Sequence, residues 1–484
     1  MPEALLEQGV RGRRIHFTGI KGVGMTALAE ILTARGAVIT GSDTSEVFFT
    51  DAILKSVGIP VCEGFDANNL PAGVELVVYS AAYSPDSNPE LRAAADRGIP
   101  RLVYPEALGQ LSRQFDSSGI CGVHGKTTTA ALAGALVREA GLPVTVLVGS
   151  EVPGFGHRST YLGGDKYLVA ETCEYKRHFL NFSPTRLILT SVEMDHQDYF
   201  RDLDDISDAF ETYVLKLAPG GALIWCADDA GASAVAERAR AKRGDLAFVP
   251  YGFTAQGAYR ISGERTEAGT ARFRLGGFDG EFILRLPGRH MIRNAAAALA
   301  LAREIAAAEG RKDDAPILAA FRRGLAGFTG ARRRSEIVGE AGGVLFMDDY
   351  AHHPTAIRTT LEGIKAFHPD RRLVVDFMSH TYSRTRALLD EFAASFGAAD
   401  EVVLHKIYAS AREKNDGRVS GRTLFERAAA RHKRVRYFEE TADAFPYLSA
   451  SLKKGDLFLT MGAGDNWKLG RDLYRHFASQ RSTE

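Results

Sequence analysis

The run Gly122-Val123-His124-Gly125-Lys126-Thr127-Thr128-Thr129 brings together the residue types that a polyphosphate needs at close quarters. Glycines let backbone N–H groups crowd round phosphate oxygens, and a following helix adds positive potential at its first turn. A lysine neutralises charge, and a threonine hydroxyl can hold Mg2+. The run follows the short apolar stretch at Ile120 and opens a segment with Leu132 and Leu136 on one helical face, so its setting is strand, turn, helix. The common spacing of such a loop would put glycine at position 120; isoleucine stands there, and the loop is shorter.

A nucleotide-bound Mg2+ also asks for hard oxygen ligands, which strand ends commonly supply. Tyr167-Leu168-Val169-Ala170-Glu171 reads as a strand ending in an acid, and Asp195-His196 follows another apolar run as a second candidate metal site. Alone, His196 reads as an ordinary core or surface histidine; its value lies in the combination. A second glycine turn, Gly19-Ile20-Lys21-Gly22-Val23-Gly24, lies between a strand and a helix, with Ser42 and Asp43 about as far on as a dinucleotide fold places its ribose-binding acid. Its spacing departs from the dinucleotide fingerprint, and a turn needed only for tight packing would look the same. The functional reading is a second nucleotide diphosphate, in a separate domain.

Further along, Asp348-Asp349-Tyr350-Ala351-His352-His353-Pro354 and His380-Thr381-Tyr382-Ser383-Arg384 each follow a strand, where loop residues face ligands at the carboxyl edge of a sheet. Arginine binds a carboxylate bidentately, which suits Arg384 to the carboxyl group of an amino acid. Either segment alone would pass for a solvated charged loop.

Positioning these residues requires a particular architecture. Short apolar runs alternate with helix-period stretches, the pattern of parallel sheets with crossover helices, so the fold class is α/β. The strand Arg14–Phe17 precedes Met25, Leu28, Ala29 and Leu32 on one helix face, with Gly36 as the stop. Further strands are expected at 37–40, 76–78, 167–170, 187–190, 222–226, 344–347, 372–377, 401–404 and 456–460, and glycine-rich alternation over 259–286 predicts antiparallel hairpins appended to the core. An alanine-rich helix is expected over 291–309. A polar stretch near 113–118 and the run Gly330-Ala331-Arg332-Arg333-Arg334 divide the 484 residues into expected domains 1–115, 116–328 and 329–484.

Sixty basic residues balance sixty acidic ones, which removes any overall field for nucleic acid or an anionic membrane. Cys62, Cys121, Cys173 and Cys226 are scattered, as in a reducing compartment, and no apolar run is long enough to span a bilayer. A cytoplasmic protein is expected, as a monomer or weak homodimer.

Taken in order, HFTGIKGVGMTALAEIL, GSD, GVHGKTTT, the Glu171 strand, EMDHQDY, PGRHMIRNAAAALA, GARRR, DDYAHHPT, HTYSRT and LTMGAGD resemble the Mur ligase family over nearly the whole chain. The resemblance implies three domains: a Rossmann-like N-terminal domain for a UDP-sugar, a central P-loop-type ATPase with a small appended sheet, and a C-terminal dinucleotide-fold-like α/β domain. The implied reaction is ATP-dependent addition of L-alanine to the carboxylate of UDP-N-acetylmuramate through an acyl phosphate, in peptidoglycan precursor synthesis. Carried over by position, Lys126, His196 and Arg384 would be catalytic. Gly122, Val123, His124, Gly125, Lys126, Thr127, Thr128, Asn294, Arg333 and Asp349 would bind ATP, with Asn294 at adenine, Arg333 at the γ-phosphate and Asp349 at the ribose. Thr127, Glu171 and His196 would hold Mg2+. Gly19, Gly22, Gly24, Ser42 and Asp43 would hold the UDP-sugar, while Tyr350, His352, His380 and Arg384 would line the amino-acid pocket.

The chain departs from the family at Val123, at Ser191 and Met291 where asparagine is usual, in Glu171-Thr172-Cys173-Glu174-Tyr175, and at Phe65 where a histidine is common near the uridine diphosphate. His352-His353-Pro354-Thr355 also resembles the relative that recycles a tripeptide onto the same sugar, whereas the 380–384 segment favours alanine. Two readings from other classes are a nicotinamide-dependent oxidoreductase built on Gly19–Gly24, which leaves Lys126, Glu171 and His196 without a task, and a nucleotide-sensing protein without turnover.

Overall fold

The structure is a computed structural model that describes residues 5–267, 269–311, 314–409, 413 and 417–480. It divides into two compact units: Met1–Glu193 with Ile206–Ile261 and Asn294–Phe328, and Met194–Asp205 with Ser262–Arg293 and Thr329–Glu484.

The first unit contains two sheets. Strands β1 (Arg14–Thr18), β2 (Val38–Asp43), β3 (Val61–Glu63), β4 (Leu76–Tyr79) and β5 (Arg101–Val103) pair in the order β3-β2-β1-β4-β5, all parallel. The order reverses at β1; the loop after β1 carries the Gly19–Gly24 turn, and Asp43 is the last residue of β2. This is the topological switch point at which doubly wound sheets bind ligands. The helix after β1 spans Val23–Ala34, with Arg35 as its C-cap and Gly36 beyond it at φ +91°. The buried Glu30 on this helix accepts from the Arg158 guanidinium and the Thr160 hydroxyl of β8 (Arg158–Leu162), which fastens it to the second sheet.

That second sheet contains β6 (Asp116–Cys121), β7 (Val144–Val152), β8, β9 (Tyr167–Glu171), β10 (Arg186–Leu189), β11 (Ala222–Cys226) and β12 (Ala247–Gly252), ordered β12-β11-β10-β6-β9-β7-β8. Only β8 runs antiparallel among these, against β7. The first residues of β13 (Tyr259–Glu267) pair with β12. The helix Lys126–Glu139 follows β6, and every residue from Thr127 to Val137 is buried. An all-round apolar helix of this kind belongs in a core; Gly324 of the helix Ala315–Ala326 lets the two backbones approach, since a Cβ there would lie 3.2 Å from Ala135 O.

In the second unit β14 (Thr270–Leu275) and β15 (Phe282–Leu284) form an antiparallel pair within the stretch expected to carry hairpins. Its main sheet contains β16 (Glu336–Ala341), β17 (Val344–Asp349), β18 (Arg372–Met378), β19 (Glu401–Leu404), β20 (Val435–Tyr437) and β21 (Asp456–Gly462), in the order β16-β17-β21-β18-β19-β20. All pairs are parallel except β16 with β17. Period-two alternation separates its faces. Leu345, Met347, Val375, Phe377 and Leu459 enter one apolar layer, while Val344, Phe346, Val374 and Phe458 enter the other. The segments 348–354 and 380–384 leave the carboxyl ends of β17 and β18.

Among the described residues no helix is long and apolar enough to cross a membrane.

Candidate active site

The turn after β6 is shaped by positions where a side chain would not fit. Gly122 has φ +128°, and a Cβ there would lie 2.1 Å from Thr190 Oγ1; Gly125 has φ +80°, with Asn294 Oδ1 2.7 Å from its would-be Cβ. Thr190 and Ser191 strap the turn down. Val123 N donates to Ser191 O at 3.1 Å and His124 N to Ser191 Oγ at 3.0 Å. The Thr190 hydroxyl donates to the carbonyls of Cys121 and His124. Ser191, where the family usually has asparagine, therefore holds the loop through both its backbone and its hydroxyl. The His124 ring meets the Glu193 carboxylate.

No side chain caps the helix that starts at Lys126, an arrangement by which a helix N-terminus can receive an anion. Lys126 Nζ folds back to the carbonyls of Gly122 and Val123 and meets both carboxylate oxygens of Glu174, at 3.1 and 3.0 Å. Burial alone would lower the Lys126 ammonium; Glu174 first, then Cys173 and Glu171, outweigh it and raise the group above its ordinary value. Thr127 Oγ1 donates to Glu171 Oε1 at 3.0 Å, and Glu171 Oε2 accepts from Gly149 N at 2.9 Å. Thr128 is buried in the same first turn. Glu171 also borders a cavity of about 230 Å³ whose walls include Gly24, Tyr104, Leu108, Leu147 and Phe182. Tyr104 lies over Gly24, with its hydroxyl 2.7 Å from where a Cβ would be.

At the N-terminal turn, Gly19 has φ +81° and is covered by the Tyr83 ring, 2.5 Å from a would-be Cβ. Gly22 N-caps the helix Val23–Ala34. Asp43 Oδ2 accepts from Lys21 N at 2.7 Å, and Oδ1 accepts from Thr44 N at 2.8 Å and from the Tyr83 hydroxyl at 3.3 Å. Both carboxylate oxygens thus close the turn. Ser42 and Thr18 donate to the fully buried Glu90, which also takes Asn69. Burial pushes Glu90 up, but His16, Ser42, Asn69 and Thr18 reverse that and leave it below the usual range. Phe65 packs on Tyr83 with ring centroids 4.6 Å apart.

In the second unit Arg384 and Asp195 form a buried ion pair, with Nε and Nη2 at 3.1 and 2.7 Å from Asp195 Oδ1. Burial would raise Asp195; the Arg384 guanidinium overrides it and holds the carboxyl far below its ordinary value. His196 has φ +53°, and its N–H donates to Asp195 Oδ1 at 2.7 Å. His380 Nδ1 lies 3.4 Å from Arg384 Nη1. His352 Nδ1–H donates to Tyr350 O (2.9 Å), and the ring meets Tyr350 and His380 edge-on. Burial first, then Arg384, push the His352 imidazole well below its usual value, so it stays neutral. Tyr350, His352, His380 and Arg384 are therefore brought together with Asp195.

Arg333 (φ +57°) donates to Asp348 Oδ2 at 3.0 Å and to the carbonyls of Gly462 and Gly464. Burial lifts the Asp348 carboxyl to about 6 against the pull of Arg333 and Thr460. Asp349 accepts from Ser335 N and Oγ and from Ala351 N. His196, Arg333 and Thr381 all hold left-handed backbone conformations, a cost of order 1–3 kcal/mol each that clusters at functional positions.

Three family models match the chain in series: "Mur ligase family, catalytic domain" over 14–116, "Mur ligase middle domain" over 120–302 and "Mur ligase, glutamate ligase domain" over 333–464. The UDP-N-acetylmuramate–L-alanine ligase of Treponema pallidum is 51% identical over 480 residues, 99% of this chain and 100% of the relative. That of Desulfitobacterium hafniense is 41% identical over 464 residues, covering 95% and 99%. Among solved structures, the UDP-N-acetylmuramate-alanine ligase of Thermotoga maritima superimposes with a TM-score of 0.76 at 26% identity, covering 96% of this chain and 99% of that one. The fold and the phosphate-type loop define an ATP-dependent ligase that forms amide bonds. The chain belongs to the Mur ligase family.

Sequence reasoning passed over Glu174, which read only as part of an unusual run, and Tyr104, Tyr83 and Glu90. Two acids three residues apart after a strand end, Glu171 and Glu174, were the available signal for the first. Nothing local marks Tyr104, which reaches Gly24 from 80 residues downstream.

Proposed function

We propose that this chain joins L-alanine to the carboxylate of UDP-N-acetylmuramate at the expense of ATP, in the cytoplasmic synthesis of peptidoglycan precursors. The observation that carries the reading is the Lys126–Thr127–Glu171 arrangement behind the turn Gly122–Gly125, taken with full-length relatives of that activity. ATP and a nucleotide sugar are intracellular substrates, which supports the location.

In this reading the sugar's carboxylate oxygen attacks the γ-phosphorus, ADP leaves, and the amine of alanine then expels phosphate from the acyl phosphate. Lys126 and the first-turn N–H groups neutralise the phosphate oxygens as charge shifts toward the leaving group. The Thr127 hydroxyl and the Glu171 carboxylate, 3.0 Å apart and both hard oxygen donors, suit one Mg2+, and His196 would hold a second. When bound, the ion would supply positive charge that reduces the repulsion between the phosphates and the incoming carboxylate. Arg384 receives the amino acid's carboxylate in exchange for Asp195, and the neutral His352 imidazole does not repel its amino group. Arg333 and Asp349 serve the γ-phosphate and ribose, Asn294 the adenine, and Gly19, Gly22, Gly24, Ser42 and Asp43 shape the UDP-sugar turn. Domain limits near 115 and 328 complete the reading.

Phosphate release measured with ATP, UDP-N-acetylmuramate and a panel comprising alanine, serine, glycine and the murein tripeptide tests it. Release should require the sugar and be fastest with L-alanine. Preference for the tripeptide would reassign the chain to recycling, and sugar-independent release would remove the substrate assignment.

A further inference from the structure

We infer that Glu174 is a positioning residue for the phosphate-handling step: it aims Lys126 and, by its charge, weakens the hold of the loop on spent nucleotide. The inference rests on the ligase reading above and adds a residue to which that reading gives no task.

The geometry is specific. Glu174 is 2% exposed, and both of its oxygens meet the Lys126 ammonium, at 3.1 and 3.0 Å. The ammonium is also turned back on Gly122 O and Val123 O, so one lysine is held by the loop it serves and by one carboxylate. The backbone presenting Glu174 is held firmly. Arg177 N donates to Glu174 O at 2.8 Å, and Phe179 N donates to Cys173 O at 2.9 Å. Phe179 itself is buried against the rings of Phe210 and Tyr213. Lys176 and Arg177 take left-handed φ values of +52° and +57°. Two successive non-glycine residues in that region are costly, so the surrounding structure must over-determine the turn that delivers Glu174.

A buried carboxylate against the cradle lysine has two opposed effects. It fixes the direction of a flexible four-carbon side chain, which favours the step in which the phosphoryl group must be met at one place. It also subtracts from the positive potential that any phosphate feels, product as well as substrate. Glutamine at 174 keeps the shape and one acceptor but removes the charge. Aspartate keeps the charge and withdraws it by one methylene.

The test uses the full chain, with ADP binding measured by calorimetry, steady-state kinetics with all three substrates, and a thermal melt of each variant. Glu174→Gln should bind ADP about 10-fold more tightly and lower both KM for ATP and kcat about 10-fold, with KM for the sugar unchanged. Glu174→Asp should fall between wild type and glutamine in each of these. A residue that only supported the fold would move all the Michaelis constants together and would not tighten ADP. Unchanged or weaker ADP binding in a folded Glu174→Gln protein overturns the inference, as does a kcat loss with ADP affinity intact. If the glutamine variant does not fold, the aspartate variant decides: parity with wild type overturns the inference. Wild-type turnover is measured in the same series, so failure of the ligase reading would show there and failure of the Glu174 inference only in the variants.

Discussion

Replacing Lys126 by alanine should cost stability as well as turnover, because the lysine is half of a buried ion pair. Its side chain is 14% exposed and that of Glu174 2%, with the closest contact at 3.0 Å. Breaking such a pair from one side leaves a carboxylate in a site built for a pair, a loss of about 3–5 kcal/mol; the residual exposure of Lys126 argues for about 3. At roughly 2–4 °C per kcal/mol for a large unit, the melting temperature should fall by about 6–12 °C. The double variant Lys126→Met, Glu174→Gln removes both charges while keeping the volume, and should return to within about 1 kcal/mol of wild type. Both proteins should lose at least about 100-fold in kcat, because neither can neutralise the transferring phosphoryl group. The assay is urea and thermal denaturation of all three proteins beside phosphate-release kinetics. A single variant that melts with wild type, or a double variant no more stable than the single one, would refute the ion-pair reasoning.

Arg384→Lys keeps the charge but loses the planar two-nitrogen contact with a carboxylate, so KM for alanine should rise at least about 10-fold while KM for ATP is unchanged in initial-rate kinetics. Tyr104→Phe removes a hydroxyl from the cavity beside Glu171 and should raise KM for UDP-N-acetylmuramate several-fold, with the melting temperature within about 2 °C of wild type. Asp348 has its folded-state carboxyl raised to about 6, above its unfolded value, so its contribution to stability is present below about pH 4 and is lost as pH rises through 6. Denaturation midpoints measured from pH 4 to 7 should contain this downward component, and Asp348→Asn should flatten it; an unchanged slope in the variant would contradict the assignment.

The phosphate-type loop and the three runs of parallel strands were readable from the sequence because their determinants are local. A short strand ending in Ile120-Cys121, glycines and an uncapped helix start fall within about a dozen residues at 116–129, and β1 with its helix follows the same rule. The edge strands β3, β5 and β20 are three residues long, too short for a period to register. β7 and β8 were not anticipated either, because β7 passes into Gly149-Ser150-Glu151 and its pairing with β8 is interrupted after Leu147. The contacts that set the site are the least local. Asp195 reaches Arg384 across 189 residues and Glu174 reaches Lys126 across 48, so neither pairing leaves a spacing to read. Asp43 shows the complementary limit. Its position after β2 matches a ribose-binding acid, yet both of its oxygens accept hydrogen bonds from the turn and from Tyr83, a use that only the folded chain reveals.

The most direct test of the account follows the oxygen atoms. UDP-N-acetylmuramate labelled with oxygen-18 in its carboxylate, turned over with ATP and L-alanine, should pass one labelled oxygen per amide formed into inorganic phosphate, since that oxygen attacks the γ-phosphorus and leaves with it. Label recovered in AMP, or phosphate free of label after complete turnover, would contradict activation of the acid by the terminal phosphate.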